Sequence, residues 1–95
     1  MKHVQVFFPN GTTWDIPADV IARHRAEYYD EHDPDASFEE EFEYAINDEY
    51  ELVDWASNNM NWEDVEEHAT QVAQLPTFFE YDKYWTNADK EIVEY

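Results

Sequence analysis

Residues 30–67 hold sixteen Asp and Glu and no Lys or Arg. A tract so charged would stay disordered if it lacked apolar residues to bury. This one does not lack them. FEEEFEYAINDEYELVDW, residues 38–55, sets eight carboxylates among Phe, Tyr, Ile, Leu, Val and Trp. Placed on a helix, Phe38, Phe42, Ala45 and Ile46 share one face, and the stripe continues through Val53, Ala56 and Met60. Glu39, Glu40, Glu43, Glu51 and Asp54 then occupy the opposite arc. The tract therefore reads as folded helix with an acidic outer side. Glu49 would fall inside the apolar stripe of an unbroken helix. A break near Asn47-Asp48 is expected, with Asp48 recapping and Glu51 at its third helical position. An unbroken helix over 38–59 is the alternative.

The remaining sequence supplies the core. Of 95 residues, 17 are Trp, Tyr or Phe. A chain of this length makes one small domain that buries about 60–65% of its unfolded surface. The absence of Cys excludes disulfides and thiolate metal sites. The N-terminus runs directly into a strand pattern rather than a signal peptide. Apolar runs are far short of the roughly 20 residues that span a bilayer. A soluble cytoplasmic protein without membrane association is expected.

HVQVFF-PNG-TTWDI reads as a β-hairpin. A three-residue Pro9-Asn10-Gly11 loop pairs Val6 with Trp14 and Val4 with Ile16, which gathers the apolar side chains on one face. A two-residue loop would scatter them. Pro17 fits the first position of a helix that ends near Asp30, with Val20, Ile21, His24 and Tyr28 as its apolar stripe. Pro34 punctuates the linker that follows. Ser37 and Glu40 have capping-box spacing, so a helix should start at Phe38. Asn61 should cap a third helical segment over 62–74, with Trp62, Val65, Ala69, Val72 and Ala73 inward and Glu63, Glu66 and Glu67 outward; Pro76 closes it. Residues 77–85 have strand character, and EIVEY reads as a last short strand. The predicted fold is α+β: an N-terminal hairpin and C-terminal strands in a small antiparallel sheet, packed against three or four helices.

Chemistry is sparse. There is no nucleophile motif, and one Gly cannot make a phosphate-cradling loop. A carboxylate acid–base pair has nothing to mark it among 24 acids. Asp33, Asp35 and Ser37 match the start of a calcium loop, but Phe38 and Tyr44 stand where Gly and Glu are required. No catalytic residue, cofactor or specific metal site is assigned. Direct nucleic-acid binding is disfavoured, because phosphates are bound by Lys and Arg and the net charge is −19.

The acid block points instead to a basic protein partner. Like charges one helical turn apart repel by a few tenths of a kcal/mol per pair. Mixed charges would solubilise a domain equally well. Carboxylates spaced about 5–6 Å apart along a helix resemble the phosphates of a DNA strand, one per about 3.4 Å of axis. Glu39, Glu40, Glu43, Glu51, Asp54, Glu63, Glu66 and Glu67 are the expected partner-binding residues of a DNA mimic. Tyr44 and Trp55 flank the arc and are candidate interface aromatics, with a homodimer contact or cover for the sheet as their rival roles. An acidic adaptor for another basic protein and a solvated, salt-adapted face are the alternatives.

WDIPADVIARHRAEYY, FEEEFEYAINDEYELVDWASNNMNWEDV and WTNADKEIV resemble stretches of small proteins of marine tailed phages, including cyanophages. The resemblance covers most of the chain. It implies expression inside a bacterial host, where interference with host DNA-binding proteins is a recurrent use of acidic proteins. No site residue carries over from it.

Overall fold

The computed structural model describes residues 1–73 and 79–95. Strands β1 (Lys2–Phe7) and β2 (Thr13–Pro17) form the antiparallel hairpin with Val6 opposite Trp14 and Val4 opposite Ile16. This is the register set by the three-residue loop. Gly11 takes φ 87°, a left-handed conformation that a Cβ disfavours. Asn10 Oδ1 accepts from the Thr12 N–H at 3.1 Å and from the Thr12 hydroxyl at 2.6 Å, which pins the turn. Replacing Gly11 by Ala should lower unfolding free energy by about 1 kcal/mol or more, read from urea denaturation.

Strand β4 (Asp89–Glu94) pairs antiparallel with β1, and β3 (Thr70–Ala73) with β2, giving the order β3-β2-β1-β4. Alternation puts Val4, Val6 and Ile16 on the buried face, all fully inaccessible. The opposite face carries Gln5 beside Asp15. Asp15 is buried yet satisfied: it accepts from Gln5 Nε2 at 2.9 Å and from the Tyr95 hydroxyl. That hydrogen bond raises the Tyr95 phenol above its ordinary pKa.

Helix α1 (Ala18–His32) follows β2 directly, with Pro17 as the last strand residue rather than the first helical one. Its buried positions are Ala18, Ile21, Ala22, Arg25 and Ala26. The expected stripe through His24 and Tyr28 is therefore rotated; Tyr28 is exposed. Alanines decide the orientation, because small side chains let α1 lie close against α2 (Phe38–Ile46) and the sheet. Ser37 precedes α2 as expected, but its side chain makes no capping bond; its carbonyl accepts from the Glu41 N–H at 3.0 Å. Helix α3 (Glu49–Asn59) is separate from α2. The break lies where Glu49 required it, and Lys2 of β1 donates to the Ile46 carbonyl at 2.7 Å, satisfying the end of α2.

The segment after Asn61 departs from expectation. Asn61 does start a helix, its N–H bonded to Asp64 Oδ2 at 2.7 Å. But α4 is only Trp62–Val65, followed by a 3-10 turn Glu66–His68 and then β3. Trp62 and Val65 are buried as expected, whereas Val72 is nearly half exposed on the strand. The exposed backbone of β2 offers ladder partners to a segment containing β-branched Thr70 and Val72, and this outweighs helical continuation. Gln74 and Pro76 of that expected helix lie outside the described residues, as do Thr77 and Phe78 of the expected strand over 77–85. Of the rest of that expected strand, Phe79 and Glu80 are irregular and Tyr81–Tyr84 form one helical turn, α5. It delivers Trp85 into the core, where the indole N–H donates to the Ala56 and Met60 carbonyls at 2.8 and 3.0 Å. The C-terminal end of α3 is thereby satisfied by a residue from the far end of the chain.

Lys90 on β4 donates to the Trp85 and Ala88 carbonyls at 2.7 and 3.1 Å and lies 4.6 Å from the Trp85 ring centroid. Burial lowers its pKa from 10.5 to about 8, against the opposing pull of Asp89. Below pH 8 the folded and unfolded chains both hold this proton, and the desolvation cost is fully present. Between about 8 and 10.5 the unfolded chain keeps a proton that the folded chain has released, so stability from this group rises with pH. In urea denaturation the stability of the parent should therefore rise relative to that of Lys90→Met from pH 8 to pH 10. Parallel curves would contradict the burial of this ammonium.

Candidate acidic interface

Helices α2 and α3 of the acid block are organised by one cation. Arg25 of α1 is 7% exposed. Its Nη1 donates to Glu41 Oε2 at 2.8 Å and its Nε to Glu51 Oε1 at 2.9 Å. The guanidinium carbon lies 4.6, 4.9 and 5.9 Å from the ring centroids of Tyr29, Tyr44 and Trp55. Burial alone would lower the Arg25 pKa, but the hydrogen bonds and charges of Glu41 and Glu51 outweigh it and raise the value. The fork geometry suits Arg and would not suit Lys.

This node reassigns two expected contact residues. Glu51 is turned to Arg25 and only 21% exposed, so it is part of the scaffold rather than of a free arc. Trp55 is buried at 5% exposure, against the rings of Tyr28 and Tyr29. Its indole N–H donates to His24 Nδ1 at 2.9 Å, which places the ring proton of a neutral His24 on Nε2. Trp55 is thus a core residue and no interface anchor. Tyr44 is 52% exposed and remains available.

The other expected residues reach solvent. Glu39, Glu40 and Glu43 are exposed on α2, and Glu63, Glu66 and Glu67 on α4 and its 3-10 turn. Asp54 is half-buried and accepts from Asn58 Nδ2 at 2.9 Å. Because Asp48 recaps the chain by accepting from the Glu51 N–H at 3.0 Å, α2 and α3 carry separate short rows rather than one long one. Tyr50, beside Glu49 at the start of α3, is 76% exposed. Its neighbours in the pattern are charged, so nothing but the helix break marked it.

Among the described residues, the ion pairs of the acid block join Glu41 and Glu51 to Arg25 and Glu67 to His68. The other acids of residues 30–67 have no Lys or Arg within ion-pairing distance among the described residues. No group of three or more His, Asp or Glu among them is placed to hold a metal ion. No described helix is long and apolar enough to cross a membrane. Arg25 and Glu41 are the organising residues that the helical wheel missed. The available signal was Arg25 itself, one turn beyond Ile21 and Ala22 and just ahead of a block with no other base. Comparison of the chain with protein-family models, with curated proteins and with solved structures finds no match.

Proposed function

We propose that this protein is an acidic DNA mimic, which occupies the DNA-binding surface of a basic host protein such as a nuclease, restriction factor, polymerase or nucleoid protein. The carrying observation is the unneutralised charge: sixteen acids over residues 30–67, with Arg25 the one Lys or Arg paired to them among the described residues. Self-repulsion of this kind lowers stability. A basic partner removes the repulsion and gains association rate from the one-signed field. Cytoplasmic action in a bacterial cell infected by a tailed phage goes with this reading.

Immobilised protein should retain basic DNA-binding proteins from a bacterial lysate at low salt. Rising salt and added duplex DNA should each release them. A retained partner that salt releases and DNA does not would favour an acidic adaptor. Retention of nothing would leave a solvated face.

A further inference from the structure

A second feature lies outside the helical rows. Trp62 of α4, Glu66 of the 3-10 turn and residues 79–83 line an open cleft of about 500 Å³. Its apolar wall is the half-buried Phe79 and Tyr81, with the buried Trp62 behind them, and its rim carries Glu66, Glu80 and Asp82. The wall is fixed from behind. Tyr81 stacks on Trp62 with centroids 5.1 Å apart, and forms T-shaped contacts with Phe8 and Trp14 at 4.8 and 5.6 Å. Its hydroxyl accepts from Asn10 Nδ2 of the hairpin loop at 3.4 Å. Lys83, the base among the lining residues, has its ammonium 3.9 Å from Glu80 and so leaves Glu66 and Asp82 without a cation there.

Aromatic faces and carboxylates together attract organic cations, the rings through their quadrupole and the carboxylates by charge. A planar guanidinium fits best: it can lie flat on a ring while its edge donates to a carboxylate. We infer that this cleft holds an arginine side chain presented by the basic partner, and this rests on the mimic reading only for the identity of the presenter. DNA-binding surfaces carry such arginines to meet phosphates and base edges. Seating one here anchors the partner at a defined point, which the helical rows alone do not.

The test is titration of the isotope-labelled protein with N-acetylarginine amide, followed by amide and indole NMR shifts. N-acetylnorleucine amide and choline serve as controls. Saturable shifts should concentrate on Trp62, Glu66 and residues 79–83. Both controls should bind more weakly. Glu66→Gln with Asp82→Asn, both exposed positions, should weaken arginine binding by about tenfold and leave the urea midpoint in place. Shifts spread evenly along residues 30–55, equal binding of choline, or an unchanged double variant would overturn the assignment. If the double variant still retains basic proteins while the cleft ignores arginine, the cleft assignment fails and the mimic reading stands. If the cleft saturates with arginine and no basic protein is retained, the mimic reading fails instead.

Discussion

Arg25→Met should lower the stability of the protein by about 3 kcal/mol, the scale for removing one partner of a buried ion pair. Glu41 and Glu51 keep 26% and 21% exposure, so they can recover some hydration, which places the loss at the low end of that scale. They nonetheless sit in a surface already rich in carboxylates. A domain of this size has about 5–15 kcal/mol in total. With a urea dependence of about 1–3 kcal/mol per M, the midpoint should fall by roughly 1–3 M. Two companions isolate the cause. Arg25→Lys should rescue little, since an ammonium cannot hold both carboxylates at 2.8 and 2.9 Å in a fork. Arg25→Met combined with Glu41→Gln and Glu51→Gln should regain much of the loss, because no uncompensated charge remains. A loss below about 1 kcal/mol for Arg25→Met would reduce the node to an ordinary surface pair.

Reversal of Glu39, Glu40 and Glu43 to Lys should weaken binding of a basic partner by about 100-fold at low salt, with a smaller difference at high salt. Each reversal exchanges an attractive charge for a repulsive one on a solvent-facing position of α2. The expected cost to the fold is modest. Lys in the first turn opposes the helix dipole by about 0.3–1 kcal/mol per site, and relief of carboxylate repulsion offsets part of it. Circular dichroism of the variant should therefore match the parent. Unchanged partner binding would move the interface off the Glu39, Glu40 and Glu43 row, to the α4 side or to Tyr44 and Tyr50.

Local periodicity made some of this legible. The hairpin register follows from matching Val4 and Val6 to Ile16 and Trp14, a choice internal to sixteen residues. The α2–α3 break follows from the wrong-facing Glu49. The roles of Glu41, Glu51 and Trp55 were not legible, because each is set by a residue on α1: Arg25 for the two carboxylates, His24 for the indole. A helical wheel describes one helix and cannot see its neighbour. Strand β3 was hidden for a similar reason. Thr70 and Gln71 pair with Asp15 and Trp14, and that free edge exists only once the hairpin has formed. The rotation of α1 reflects alanines, which weigh little in a pattern of large apolar residues but decide how near two helices approach.

In the proposed function, the unneutralised acids of residues 30–67 compete with DNA for one basic surface. This competition is tested most directly by fluorescence anisotropy of labelled duplex DNA bound to a purified basic protein that the chain retains. Added protein should release the DNA in proportion to the complex formed, at low but not high salt. The Glu39, Glu40 and Glu43 reversal should release far less. DNA that stays bound while the acidic protein also binds would contradict the claim.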